Sequence, residues 1–339
     1  MALPIENNSL LAAWRALDGA ATATGWRTII VEKNGNCRLL AGRRFPGNEE
    51  AILVGFSTAT VPHDKHLPQG HGFQVNRLER NLIGDGNVWV SLARLPVGSL
   101  DMFSLMAEDI VSFLKVRSSD SEENIFRAFL NRIHAWQNFM DRGSLGILSG
   151  EAEIGLFGEL IILKSLLAIG VPPIDVLNSW VGPSGGIQDF LIGSGAIEAK
   201  TTISPASFPA KISSLEQLDT SLIQPLFIAG VRLSLGESGM SLPEMANSLR
   251  PLLTADGIAA SIYENRLIQA GLLEAHTGGY VRKFSHNNTV FFAVKDGFPR
   301  LTHENVPIEI GRANYELDLA LIVEHSTELV DAVNILRGV

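Results

Sequence analysis

Asp189, Glu198 and Lys200 lie within one short segment, DFLIGSGAIEAKTT at 189–202. Glycine at the first central position of a two-residue turn suits a type II′ hairpin, so a turn at Gly193-Ser194 is expected. That turn sets the register and places Asp189 directly opposite Glu198 on one face. Strand alternation brings Lys200 to the same face and leaves Phe190, Ile192, Ile197 and Ala199 on the other, as core. Facing carboxylates repel, and one lysine offsets only part of their charge, so something cationic is expected to complete the site. Oxygen-only ligands of this kind suit Mg²⁺ or Mn²⁺, which bind through one or two carboxylates, waters and substrate phosphate. The chemistry implied is hydrolysis of a phosphodiester, with Lys200 positioning the attacking water or helping to deprotonate it.

A third carboxylate comes from the apolar run IGLFGELIIL, which contains Glu159. The run continues a helix that starts near Ser149, with Glu151 and Glu153 in its first turn, and ends near Ala168. On that helix Gly155, Gly158, Ile162 and Leu163 flank Glu159, a poor setting for a bare charge. A carboxylate buried there must be paired, hydrogen-bonded or metal-linked, and Lys164 is off its face. The two glycines are expected to let the helix approach the sheet closely and bring Glu159 toward Asp189.

An acidic residue in a first helix, then Asp, then Glu-x-Lys on a following strand resembles the PD-(D/E)XK nuclease superfamily. More narrowly, the segments Gly155–Leu160, Trp180-Val181-Gly182-Pro183, Gln188-Asp189-Phe190, Glu198–Thr202 and Ser213–Asp219 resemble a bacterial family of unknown function named for this motif. Weaker likeness, such as Phe298-Pro299-Arg300, extends into the C-terminal part. The resemblance implies an α/β (α+β) fold with a restriction-endonuclease-like core, a mixed sheet flanked by helices. It also implies a Mg²⁺-dependent deoxyribonuclease of restriction or phage defence, acting with methyltransferase or ATPase partners. Under it Glu159, Asp189 and Glu198 would be metal ligands, Lys200 the catalytic lysine, and Gln217 a glutamine near the active site. One departure is Gln188, which stands where the literal motif has proline.

Elsewhere the patterning gives a short helix from Ser9 to Gly19 and a hairpin of WRTIIVE and CRLLAG about an Asn34-Gly35 turn. Strands at 51–56 and 87–93 make 1–95 mostly β, with a long loop at 61–72. Helical spacing follows in Met102, Phe103, Met106, Ile110, Phe113 and Leu114, and again in Ile125, Phe129, Ile133 and Trp136. The polar break at 118–123 reads as an exposed joint. After the Asp189 hairpin come a helix start at Ser213, a strand in LFIAGVRLSL, and helices near 241–253 and 256–270. Both Ser213 and Ser241 have capping-box spacing to a glutamate. YVRKFS, TVFFAVK and YELDLALIV close the chain as strands. The chain is thus divided into an N-terminal β-rich region at 1–115, a helical connector at 116–145, the nuclease-type core at 146–235 and a C-terminal α/β extension at 236–339.

Composition narrows the function classes. The 339 residues are 46% hydrophobic and 19% charged, which suits a folded globular chain rather than a disordered one. A lone Cys37 and an N-terminus without a signal-peptide pattern lead us to expect a cytoplasmic protein, and no apolar run reaches the ~18 residues of a membrane span. With 27 Lys and Arg against 36 Asp and Glu, net charge −9, the composition argues against a free-standing, high-affinity nucleic-acid binder held by whole-protein charge, and leaves a local basic groove or a partner as the alternatives. Lys211 is the cation to watch for a phosphate contact, whereas Arg43, Arg44, Arg77, Arg80, Arg282, Lys283 and Arg300 read as solvated faces. His63, His66 and His71 lack the cysteine partners and sharp spacing of a structural zinc site. Two rivals to the nuclease are a catalytically silent scaffold or DNA-binding subunit of a defence complex, and a hydrolase of RNA or a nucleotide. Double-strand cutting would favour a homodimer, since each such site cuts one strand.

Overall fold

The computed structural model describes residues 9–338 except 21, 23, 34–35, 63, 65–66, 79–84 and 142–146. The chain forms two compact units, 1–145 and 146–339. Both are built of helices on sheets, a mixed α/β architecture with a β-rich first unit.

The first unit opens with helix α1 (Ser9–Leu17) and carries strands β1 (Gly25–Glu32), β2 (Arg38–Phe45), β3 (Glu49–Phe56), β4 (Phe73–Arg77) and β5 (Val88–Arg94). They form an antiparallel sheet in the order β1-β2-β3-β5-β4. The expected β1–β2 hairpin is present; its Asn34-Gly35 turn lies outside the described residues, as do His63, His66 and Arg80. Helices α2 (Leu100–Lys115) and α3 (Glu122–Asp141) complete the unit. In the break between them Ser119, Ser121 and Glu123 are exposed as expected, but Glu122 is not. The Glu122 carboxylate is buried and accepts from the backbone N–H groups of Ser57, Thr58 and Ala59, both hydroxyls and Arg38. Burial pushes its pKa up, but these donors outweigh that and hold it at about 2. Arg43 also departs from a solvated face, since it is buried against Glu50.

The second unit positions the acidic residues. Helix α4 (Gly150–Ala168) begins where expected, with the Ser149 hydroxyl accepting from Ala152 N–H. It is followed by α5 (Pro173–Ser179), then β6 (Phe190–Ile192) and β7 (Gly195–Thr202). These two strands pair Phe190 with Ile197 and Ile192 with Gly195, the register the Gly193-Ser194 turn dictates. Gly193 holds φ +59°, as the first position of a type II′ turn demands. Next come β8 (Pro209–Ile212), β9 (Leu226–Met240), α6 (Leu242–Leu253), α7 (Gly257–Gln269), β10 (Phe284–Ala293), β11 (Tyr315–Asp318), β12 (Ser326–Thr327) and α8 (Leu329–Arg337). The main sheet is mixed, in the order β12-β10-β9-β7-β6, with β7 and β9 parallel; β8 and β11 form a separate ribbon. Segment 236–339 therefore shares a sheet and a core with 146–235: Phe157, Ile162, Ile197, Ala229, Leu249, Tyr263 and Phe284 pack in one cluster.

Several local expectations fail for identifiable reasons. No helix starts at Ser213; residues 213–222 form turns, because Gln217 and Glu216 are engaged by other segments. YVRKFS contributes only Phe284 and Ser285 as strand, and these run on through an irregularity between His286 and Asn288 into TVFFAVK as the single strand β10. YELDLALIV keeps only β11 as strand, since the Asp318 side chain accepts from Ala320 N–H and turns the chain into a 3₁₀ helix.

Of the two glycines on α4, only Gly158 makes the close approach. A Cβ there would collide with Thr201 Oγ1 and stand 3.0 Å from Thr201 Cβ, so the threonine would have to turn and the helix or strand still give slightly. A Cβ on Gly155 meets nothing within 4 Å. Gly158→Ala should therefore cost about 1–3 kcal/mol through overpacking. Gly155→Ala should be neutral or stabilising by about 0.5–1 kcal/mol. Paired urea titrations check this, and equal effects of the two substitutions would contradict the helix–strand approach at Gly158.

Candidate active site

Glu159, Asp189, Glu198, Lys200 and Gln217 converge at one end of the β6–β7 hairpin. Asp189 precedes β6 and stands opposite Glu198 by the hairpin register. Its Oδ2 accepts from the backbone N–H of Ala199 at 2.7 Å, and its carbonyl accepts from Val181 and Gly182 N–H at 2.8 and 3.0 Å. On β7 Glu198 is buried, 3% exposed, whereas Lys200 is half-buried. Lys200 Nζ lies 2.8 Å from Glu198 Oε1. The same oxygen accepts from Gln217 Nε2 at 2.6 Å, and Gln217 Oε1 accepts from Ser213 N–H at 2.9 Å. Gln217 is thus a bridge rather than a solvated first-turn residue. From α4, Glu159 Oε2 accepts from the Trp180 indole N–H at 2.6 Å, while Lys164 is exposed.

The electrostatics follow from crowding. Burial is the largest influence on all three carboxyls and raises each pKa. Glu159 lies well above the carboxylate range, first by desolvation and then by the Asp189 charge, against the opposing pull of Trp180 and Lys200. Asp189 is raised by burial against the Ala199 N–H and Lys200. Glu198 reaches about 8, raised by burial and by Asp189 and lowered by Lys200. The site therefore holds more acid than its single lysine neutralises.

Among the described residues, no three His, Cys, Asp or Glu side chains already surround one point as a finished metal cage. The carboxylates rest instead on protein donors. Each of the three has a donor on one oxygen only, and the second oxygen of Glu198, Oε2, is buried without a hydrogen-bond partner. An orphaned carboxylate oxygen beside a second carboxylate is a hard-oxygen donor set, which Mg²⁺ can complete with waters from one or two carboxylates. The residues fit such an ion. Glu159 and Asp189 each keep part of the residue exposed, while their carboxyl groups are largely withdrawn from water.

Three neighbours escaped the sequence. The Gln188 side chain, standing in place of proline, donates to the Gln217 carbonyl at 3.3 Å and ties the hairpin to that segment. Arg300 is not a solvated residue; its guanidinium donates to Leu218 O and Thr220 Oγ1 at 3.1 and 2.8 Å, next to Gln217. Trp180 signalled itself only as part of a motif, with no role attached. Lys211 stands exposed on β8 opposite Glu316.

A helix-borne glutamate, an aspartate leading a hairpin and Glu-x-Lys on its second strand stand in the order that the PD-(D/E)XK resemblance implies. The chain belongs to the family described as "Putative PD-(D/E)XK family member" (DUF4420), whose model matches residues 10–320. No curated protein and no solved structure matches the chain. Among the described residues, no helix is long and apolar enough to cross a membrane.

The raised carboxyls fix a sign for the effect of pH on stability. Glu198 keeps its proton up to about pH 8 when folded, but releases it near its ordinary 4.5 when unfolded. Folding therefore takes up protons between those values, and the associated stability, full below about 4.5, is lost as pH rises through about 8. In metal-free buffer the melting temperature of the second unit should fall from pH 5 to pH 8.5, and Glu198→Gln should flatten the fall. Thermal melts across this range check it; a melting temperature that rises would contradict the assignment.

Proposed function

We propose that the protein is a Mg²⁺-dependent endonuclease that hydrolyses DNA phosphodiester bonds, with Mn²⁺ able to replace Mg²⁺. The observation that carries this reading is the buried, donorless Glu198 Oε2 within a cluster of three carboxylates and one lysine. Asp189 and Glu198, with Glu159 beside them, would hold the ion. When bound, a divalent cation supplies Lewis-acid activation of water and offsets charge on the phosphate.

The chain's own residues divide the remaining work. Lys200 orients the attacking water and offsets the charge that gathers on the phosphate oxygens. Water oxygen bonds to phosphorus as the P–O bond to one sugar breaks, leaving a phosphate monoester and an alcohol that takes up a proton. Gln217 shares Glu198 Oε1 with Lys200, so it fixes the direction in which the glutamate faces. Asp189 is held in turn by the Ala199 N–H.

The net charge of −9 bears on delivery of the substrate. DNA repels such a surface, so restriction or phage defence alongside methyltransferase or ATPase partners suits it better than solitary action. Cytoplasmic placement accords with the free Cys37. A homodimer would supply the second site that double-strand cutting requires.

Supercoiled plasmid incubated with the protein and Mg²⁺ or Mn²⁺ should be nicked, and EDTA should stop it. Asp189→Ala, which removes an ion ligand, and Lys200→Ala, which removes a group that offsets charge on the phosphate, should each lower the rate by about 100-fold or more, the range expected for loss of one electrostatic contact to the transition state, without unfolding the protein. Cleavage by Asp189→Ala at the wild-type rate would sink the assignment. Cleavage of RNA in preference to plasmid would move the substrate to RNA.

A further inference from the structure

Trp180 is fully buried, and its indole N–H meets Glu159 Oε2 at 2.6 Å. An indole N–H can only donate, so this contact holds one carboxylate oxygen in place and demands nothing in return. The ring is itself fixed from behind. It lies 6.3 Å from the Tyr263 ring, and Tyr263 donates its hydroxyl to Ala246 O at 2.9 Å. The next two residues, Val181 and Gly182, both donate to the Asp189 carbonyl, so the same segment is anchored to the second acid.

Gly182 adds an independent observation. A Cβ built on it would stand 2.7 Å from Asp189 Oδ1 and 3.0 Å from Glu159 Oε2. Two carboxylate oxygens from different elements therefore face one small space beside its α-carbon. Its φ is not among the left-handed glycines, so a side chain is barred there by space and not by backbone conformation.

We propose that the Trp180–Gly182 segment is a wall of the ion site, in which Trp180 positions the Glu159 carboxylate and Gly182 keeps clear the space where Asp189 and Glu159 meet. This rests on the metal-dependent reading above and deepens it by assigning roles to two residues. Trp180→Phe keeps the packed ring and removes the N–H. Gly182→Ala leaves the N–H and fills the space with a methyl group.

The test uses the full chain and Mg²⁺ alone, without substrate. In protein labelled with ¹⁵N-tryptophan, the indole resonance absent from Trp180→Phe belongs to Trp180. It should shift as Mg²⁺ is added, more than those of the other tryptophans. Calorimetric titration with Mn²⁺ should give affinities about 10–100-fold weaker in both variants, the usual effect of disturbing groups that orient metal ligands, with cooperative melting retained in the absence of metal. Wild-type affinity in Gly182→Ala together with a motionless Trp180 resonance would overturn the wall while leaving a metal-binding nuclease intact. Should Trp180→Phe fail to fold, the Gly182→Ala affinity decides the matter. No binding of Mn²⁺ or Mg²⁺ by the wild-type protein would overturn both the wall and the metal-dependent reading.

Discussion

Carboxylates crowded out of water are costly, and this chain gathers three of them around one lysine. Each must take a proton, a donor or a cation, since neither bulk water nor a distant charge offsets burial in a low-dielectric setting. The second unit meets that demand with donors drawn from separate segments. Ala199 N–H serves Asp189, the Trp180 indole serves Glu159, and Gln217 with Lys200 serves one oxygen of Glu198. The other oxygen of Glu198 is left over. That remainder is where the chemistry of the site has room to begin.

The fold can be read as the means of bringing these donors together. The parity of a two-residue turn puts Asp189 against Glu198, and strand alternation carries Lys200 alongside. The bare α-carbon of Gly158 lets α4 settle onto Thr201 of β7. The parallel pairing of β7 with β9 buries the hairpin's apolar face against the core that α4 shares. The late segments contribute as well. Tyr263 backs Trp180, and Arg300 holds the turn next to Gln217, so the site draws on residues more than a hundred positions apart.

What could be read in advance was whatever depended on local periodicity. The register of the 189–202 hairpin, the start of α4 at Ser149 and the need of Glu159 for a partner all follow from turn chemistry, capping and amphipathicity. What escaped was set by long-range contact. Ser213 carries a capping-box spacing as good as that of Ser241, yet only Ser241 caps a helix, because Gln217 is claimed by Glu198 and Glu216 by His303. Glu122 looks like part of a solvated acidic run until the segment that follows β3 delivers three N–H groups to it. The indole donor to Glu159 arises from tertiary packing across 21 positions, and no spacing rule anticipates it.

The central claim is that a divalent cation completes the carboxylate cluster. A crystal of the protein soaked in Mn²⁺ and measured at an energy where manganese scatters anomalously tests it most directly. The account predicts an anomalous peak within coordination distance of Asp189 and the free oxygen of Glu198. Full Mn²⁺ exposure with no such peak, and with both carboxylates contacting protein donors alone, would contradict it.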